Sequence, residues 1–162
     1  MLILFLRSLF FALLFPGSVT VLFPYLIVSR RGAVMPSIAS PICFLGLIPL
    51  VLGASILVRC IRDFAVIGRG TLATVDPPRV LVVSGLYRYV RNPMYVGVGF
   101  TLTGEAILFA SAALVFYAVA VLTVMHLFVV LYEEPALTAQ FGESYRQYRR
   151  DVRRWVPRWP PR

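Results

Sequence analysis

The sequence contains no lysine and few acidic side chains. All 16 basic residues among its 162 residues are arginine, against seven Asp and Glu, so the formal net charge is +9. Guanidinium groups pair bidentately with phosphate and carboxylate, and beside apolar segments they commonly mark topology and lipid headgroups. Because the arginines flank apolar segments and no nucleic-acid-binding motif is present, nucleic acid is not an expected partner.

Metal ligands and disulfide partners are also scarce. One His and two Cys make no zinc-binding pattern. Cys43 and Cys60 lie near opposite ends of one apolar segment, which a helix would place about 25 Å apart, too far for a disulfide. The sequence therefore predicts neither a metal site nor a disulfide framework.

Hydrophobic residues dominate the rest of the composition. They make up 59% of the chain, more than a soluble domain of this length needs in its core. A helix needs roughly 20 mostly apolar residues to cross a bilayer. The first apolar run starts at Leu2, is interrupted by Arg7 and lacks a convincing small-residue cleavage site, which favours a retained transmembrane helix over a signal peptide.

Four apolar segments predict an all-α integral membrane protein with about four transmembrane helices. They cover about residues 2–28, 41–58, 94–109 and 113–132, and Pro16-Gly17 should kink or break the first. We expect one membrane domain (1–162), with two N-terminal spans (1–60), a cytoplasmic loop (61–93), a helical hairpin (94–132) and a cytoplasmic tail (133–162).

Arginine placement predicts the orientation of these spans. Thirteen arginines lie within residues 59–91 or 146–162, whereas only Arg30 and Arg31 lie between the first two spans. The positive-inside rule then places both termini in the cytoplasm.

Two further elements are predicted outside the spans. Apolar side chains recur every three or four residues in the tail, as an interfacial amphipathic helix would require, at Phe141, Tyr145, Tyr148, Val152 and Trp155. Pro157 should end that helix. Residues 80–83 could form a short strand or extended segment after Pro77-Pro78.

The densest group of specific side chains lies in residues 84–97 and 132–135, which a hairpin would bring to one membrane face. Asn92 can cap the third helix with Pro93 in its first turn, and Arg88 and Arg91 can bind a carboxylate. Acidic and aromatic residues suited to an ammonium, a sulfonium or an adenine ring are Glu133, Glu134, Tyr87, Tyr89 and Tyr95. S-adenosylmethionine carries all of these groups.

Each feature also has an ordinary structural explanation. Tyr and Arg beside a span commonly anchor it at the interface, Asn-Pro is a common helix start, and paired Glu at a helix end is usually solvated. Their joint occurrence at this spacing favours a cofactor site.

Three blocks, SGLYRYVRNPMYVG, EEPAL and FGESYRQYRRDV, resemble the isoprenylcysteine carboxyl methyltransferase and phospholipid methyltransferase superfamily over about residues 79–157. The resemblance implies a helical membrane enzyme that binds S-adenosylmethionine near the cytosolic surface and methylates a lipid-like or prenylated acceptor. The chain is most similar to the short bacterial members, which implies a bacterial cytoplasmic membrane.

The resemblance also implies roles for individual residues. Asn92-Pro93-Met94-Tyr95 matches the family's H-P-x-Y cofactor segment, with Asn in place of the commoner His. Glu133 matches an acidic cofactor ligand nine residues before the FG glycine, here Gly142. Further implied cofactor contacts are Val80, Leu81, Val82 and Tyr87.

One position departs from the eukaryotic prenylcysteine enzymes. The arginine that binds substrate there, one turn before the acidic ligand, corresponds to Val129 here. Valine cannot bind a carboxylate, so prenylcysteine is not the expected acceptor.

Two ionisable residues fall inside predicted spans and are candidate catalytic groups, because burying such residues in lipid is costly. His126 lies seven residues before Glu133, which places it on the same helix face, where it could act as a base or an orienting group. Glu105 lies in the third span. For each, the alternative is a hydrogen bond between helices.

Two other functions compete with methyl transfer. A non-enzymatic, NnrU-like membrane assembly protein would use the same residues structurally and need not bind S-adenosylmethionine. A small transporter is disfavoured, because few polar groups line the spans and no inverted repeat is visible.

Overall fold

The structure, a computed structural model, describes residues 13–30, 41–63, 81 and 83–159. Over these ranges the chain is helical and contains no strand. In chain order the elements are a π-helix (Leu13–Leu22), α1 (Phe23–Arg30), α2 (Pro41–Asp63), a 3-10 turn (Gly85–Arg88), α3 (Pro93–Leu108), α4 (Ala112–Phe128), a π-helical segment (Val129–Glu133), α5 (Glu134–Phe141) and α6 (Glu143–Asp151).

Two continuous helices are long and apolar enough to cross a membrane, Phe44–Asp63 and Ala112–Phe141. A shorter apolar helix covers Leu14–Arg30, and α3 has 16 residues, about 24 Å at 1.5 Å per residue. The all-α class is confirmed for the described ranges. The count of four crossings stays a prediction.

Glycines allow α2 and α3 to pack backbone against backbone. A Cβ added at Gly53 would lie 2.5 Å from the Thr101 nitrogen, and one at Gly104 would lie 2.5 Å from the Leu50 nitrogen. Small residues at such contacts let membrane helices approach closely. The contact also fixes the antiparallel register, so the end of α2 lies beside the start of α3.

The N-terminal helix packs against this pair and α4. Leu57, Val98, Leu102 and Ala118 form a buried cluster, against which Val19 and Tyr117 pack. The hydroxyl of Tyr117 donates to the Val19 carbonyl at 2.9 Å. The contacts tie the N-terminal helix to the side of the hairpin.

Two predictions about the first two helices need correction. Pro16 lies inside the π-helix, which continues into α1, so the first helix is not broken there. The second helix runs past residue 58 to Asp63, so Arg59 and Arg62 belong to its last turns.

The hairpin between α3 and α4 turns where the sequence predicts it. Ala110 adopts a positive φ of 43°, and the Ser111 hydroxyl accepts a hydrogen bond from the Leu114 amide at 3.4 Å. The returning helix is longer than predicted. It passes without a break through the π-helical segment into α5 and ends at Phe141, so the paired glutamates lie within it.

The tail differs most from the prediction. α6 ends at Asp151 and Val152 is extended, so Trp155 is not part of that helix. The apolar side chains of this segment do not form an exposed face for the membrane interface, because Tyr145, Tyr148 and Val152 are buried together. The side chains that pack against them are Leu81, Leu137 and Phe141.

After α6 the chain forms a segment that we call the C-terminal strap, residues 152–159. The amide of Arg91 donates to the Arg153 carbonyl at 2.9 Å, and the amide of Arg158 donates to the Tyr89 carbonyl at 2.8 Å. The rings of Tyr89 and Trp159 stack with centroids 5.6 Å apart. The strap is therefore held against the segment that leads into α3.

The short strand predicted at 80–83 is not formed by Leu81 or Val83, which belong to no regular element. Val80 and Val82 lie outside the described residues.

Candidate active site

The start of α3 brings the first predicted block into place. Pro93 occupies the first turn and Asn92 the capping position, as expected, but the Asn92 side chain does not cap the helix. Instead its amide nitrogen donates to the Arg154 carbonyl of the strap at 3.3 Å. The predicted side-chain cap is wrong, since a cap would need the Asn92 Oδ1 to accept from a helix N–H, and the side chain contacts the strap through its amide nitrogen instead.

The π-helical segment determines where the acidic pair lies. A π turn inserts one extra residue into a helix and so rotates the residues after it about the helix axis. At the end of this segment Glu133 reaches α3, where the Tyr95 hydroxyl donates to Glu133 Oε2 at 3.0 Å. The two predicted blocks therefore meet at one end of the helical hairpin.

Glu134 faces a cluster of guanidinium groups and is only 5% exposed. Its Oε1 lies 2.9 Å from Arg91 Nη1 and 2.7 Å from Arg154 Nε. Its Oε2 accepts from Arg154 Nη2 at 3.0 Å and lies 3.5 Å from Arg149 Nη2. The shared carboxylate therefore links the strap and α6 to the start of α3. Separating these segments would be costly, because it would leave a buried charge without its partner.

An apolar cavity of about 490 Å³ opens beside the Tyr95–Glu133 pair. It lies between α2, α3 and α4, and the strap contributes Trp155. Its polar lining residues are Tyr95, Thr103, His126 and Trp155, while its apolar wall includes Phe100, Leu122 and Met125.

Trp155 of the strap contacts His126 at the wall of this cavity. Its indole Nε1 donates to His126 Nδ1 at 3.2 Å. A neutral imidazole has one donor and one acceptor nitrogen, so a neutral imidazole that accepts at Nδ1 in this way would present an N–H at Nε2. The catalytic role of His126, as a base or an orienting group, stays a prediction.

A family model described as phospholipid methyltransferase matches residues 42–144. The match covers more than half of the chain, from α2 to the start of α6. The chain belongs to the phospholipid methyltransferase family. The predicted superfamily is thereby confirmed, while no curated protein and no solved structure matches the chain.

The family match includes α3, His126 and the acidic pair but ends before the strap. A methyltransferase family with membrane-capable helices agrees with the predicted enzyme class and membrane location. S-adenosylmethionine is the general methyl donor that such a family implies.

Some predicted site residues lie away from the cavity. Tyr87 is 8% exposed and packs against Cys60, and its carbonyl accepts from the Tyr148 hydroxyl at 2.7 Å. Burial raises the pKa of Tyr87 well above its usual value, so it stays a neutral core residue. Leu81 packs in the tail cluster.

Glu105 is also remote from the site. It lies ten residues after Tyr95 on α3, about 15 Å along the axis. Its Oε2 is buried and has no hydrogen-bond partner among the described residues. The structure does not bring Glu105 to His126.

The strap's contribution to the site is not evident from the sequence. Periodicity assigns Trp155 to an amphipathic helix, and Arg149 and Arg154 contribute there only to the topology signal. The acidity of Glu133-Glu134 signals a basic partner, but the sequence does not show which arginines supply it.

Proposed function

We propose that the chain transfers a methyl group from S-adenosylmethionine to a lipid-like acceptor at the membrane face where α3 begins. The observation that carries the proposal is the Tyr95–Glu133 hydrogen bond at 3.0 Å. It joins the two segments that the family resemblance assigns to the cofactor, and one of its partners, Tyr95, also lines the apolar cavity.

The residues at this end of the hairpin fit the cofactor's charged groups. Arg91 Nε is buried and has no hydrogen-bond partner among the described residues, which suits a carboxylate. Glu133 suits the ammonium or the sulfonium, because its carboxylate is contacted by a phenol rather than a cation. Glu134 is already paired with arginines, so we assign it the supporting role of positioning Arg91.

The cavity fits an acceptor with an apolar tail. Its volume of about 490 Å³ lies within the range of small-molecule sites, and its lining combines an apolar wall with a few convergent polar groups. Val129 occupies the position that holds an arginine in the prenylcysteine enzymes. Its side chain is apolar and fully buried, so it offers no charge to a carboxylate. We therefore favour a lipid over a prenylcysteine.

Such a transfer needs no protein nucleophile. When bound, S-adenosylmethionine would supply an electrophilic methyl group, and its sulfur would leave as a neutral thioether when the methyl–sulfur bond breaks. An acceptor N–H or O–H must also lose its proton before or during the attack. The protein's part is to position both reactants and to exclude water. His126 Nε2–H can orient the acceptor by donating a hydrogen bond, and the strap covers the site with Trp155.

We further propose four crossings in a bacterial cytoplasmic membrane, with both termini in the cytoplasm. The helix Ala112–Phe141 has 30 residues, about 45 Å at 1.5 Å per residue, whereas the hydrocarbon core is about 30 Å thick. One end of it must therefore leave the core. Because burying carboxylates in lipid is costly, we infer that it is the end with Glu133 and Glu134 that reaches the headgroups.

Binding of S-adenosylmethionine by the purified protein, measured by calorimetry in nanodiscs, tests the proposal. Glu133→Gln should weaken binding by about tenfold to a hundredfold, since a charge-assisted contact is worth about 1.5–3 kcal/mol. Glu143→Gln is the matched control, because Glu143 is exposed on α6 and pairs with arginines of its own helix. A folded wild-type protein that binds no S-adenosylmethionine would support the non-enzymatic assembly function instead.

A further inference from the structure

A second cavity, also of about 490 Å³, lies beside α5 and α6. It shares no lining residue with the apolar cavity. Its apolar side includes Val130, Pro135 and Ala139, and its polar side includes Arg146, Arg149 and Arg154 around Glu134. Glu134 belongs to the EEPAL block of the predicted cofactor site, whereas Arg146, Arg149 and Arg154 lie beyond the family match and have no assigned role. We call it the arginine cavity.

Positive charge exceeds negative charge around this cavity. The described lining contains one acidic residue, Glu134, and three arginines. A further arginine that does not line the cavity, Arg91, also pairs with Glu134. Arg146 has a further, longer contact to Glu143 at 3.4 Å. One buried carboxylate cannot compensate several guanidiniums, so the cavity favours an anion.

The arginines retain donors for such an anion. The side chain of Arg149 is 42% exposed and that of Arg146 is 61% exposed, whereas that of Glu134 is 6% exposed. A guanidinium carries five N–H donors, and Arg149 Nη2 lies 3.5 Å from Glu134 Oε2, longer than an ordinary hydrogen bond. The remaining donors match the oxygens of a phosphate group.

Location decides which anion is available. The cavity adjoins the part of the helix Ala112–Phe141 that extends beyond the hydrocarbon core, given its 30 residues and a core about 30 Å thick. The phosphodiesters of lipid headgroups are concentrated at this level. The apolar side formed by Val130, Pro135 and Ala139 can accommodate the part of the lipid below its phosphate.

We propose that the arginine cavity binds the phosphate of a membrane lipid headgroup and prefers lipids with net negative charge. This goes beyond methyl transfer, since binding here requires neither cofactor nor turnover. Because Arg154 both lines the cavity and belongs to the strap, a bound headgroup would also stabilise the strap next to Trp155.

Native mass spectrometry of the purified full chain, titrated with dihexanoyl-phosphatidylglycerol, tests the proposal. Arg146→Gln/Arg149→Gln should weaken the binding of this lipid about tenfold, the loss expected for a charge-assisted contact. Arg150→Gln/Arg153→Gln removes the same charge from neighbouring residues that do not line the cavity, and should change the affinity by less than about twofold. Dihexanoyl-phosphatidylcholine should bind more weakly than the anionic lipid.

Several results would overturn the proposal. Equal losses in both double variants would show that bulk charge alone attracts the lipid. Inorganic phosphate that binds as tightly as the lipid and displaces it would identify a site for free phosphate. Should the first double variant fail to fold, Arg146→Gln alone serves, because Arg146 is exposed and pairs with Glu143 on its own helix. An unchanged lipid affinity in that variant would likewise contradict the proposal.

Discussion

At the scale of single residues, the two members of the acidic pair make different contacts. Glu133 contacts a neutral phenol and stays available for a cationic ligand, whereas Glu134 is bound by arginines from three parts of the chain. Two adjacent glutamates are chemically equivalent in the sequence. They differ in the fold because consecutive residues of a helix point in different directions.

Trp155 provides the first residue-scale prediction. Trp155→Phe keeps an aromatic ring but removes the donor to His126 Nδ1, so the imidazole is no longer held with its proton on Nε2. Turnover should fall about fivefold, since a neutral hydrogen bond is worth about 1 kcal/mol. The affinity for S-adenosylmethionine should change little. Methyl-transfer kinetics with total lipid as acceptor measure the first effect, and calorimetry measures the second.

The matched control for this prediction is Trp159→Phe, which alters the same strap where it stacks on Tyr89. A similar fall in turnover in both variants would mean that Trp155 acts only through strap stability. In a His126→Ala background, Trp155→Phe should have no further effect on turnover if its action passes through His126.

At the scale of elements, hydropathy predicted the positions of the helices better than the residues at which they end. The hairpin and the meeting of residues 92–95 with 133–134 follow from apolar segments and a short turn, so they could be predicted from the sequence. The strap and the Glu134 cluster depend on contacts such as Arg91–Glu134, which joins residues 43 positions apart. Sequence periodicity reports only local neighbours, and the π-helical segment gives no periodic signal of its own.

Packing of α2 against α3 provides an element-scale prediction. Gly104→Ala would place a Cβ 2.5 Å from the Leu50 nitrogen and 2.8 Å from the Gly46 carbonyl oxygen. Backbone atoms cannot move aside cheaply, so the free energy of unfolding should fall by about 1–3 kcal/mol. Thermal unfolding in detergent, followed by circular dichroism, measures the loss.

Gly99→Ala is the control on the same helix. A Cβ there would meet Leu122 Cδ2 at 3.4 Å, an ordinary contact with a flexible side chain, and Ala favours the helix over Gly by about 1 kcal/mol. Equal tolerance of both substitutions would contradict the close packing of α2 on α3.

At the scale of the whole molecule, the chemistry gathers at one end. Antiparallel α2 and α3, the α3–α4 hairpin and the strap all bring their polar residues to the level where α3 begins, whereas Glu105 lies near the opposite end of α3. Both cavities border this end, one with an apolar lining and one with arginines. A reaction between a charged cofactor and a lipid requires such a boundary.

Membrane orientation is the prediction at this scale. Thirteen arginines lie within residues 59–91 or 146–162 and two between the first two spans, so the positive-inside rule places the active end in the cytoplasm. In a Cys43→Ala/Cys60→Ala background, cysteine introduced at Ser144, which is exposed on α6, should react with a membrane-impermeant maleimide only after the cytoplasmic side is opened. Cysteine at Gly32 should react in intact cells. With four crossings, one helix precedes Gly32 and three more lie between Gly32 and the tail, so the two positions must face opposite sides of the membrane. Labelling of both positions from the same side would therefore rule out four crossings.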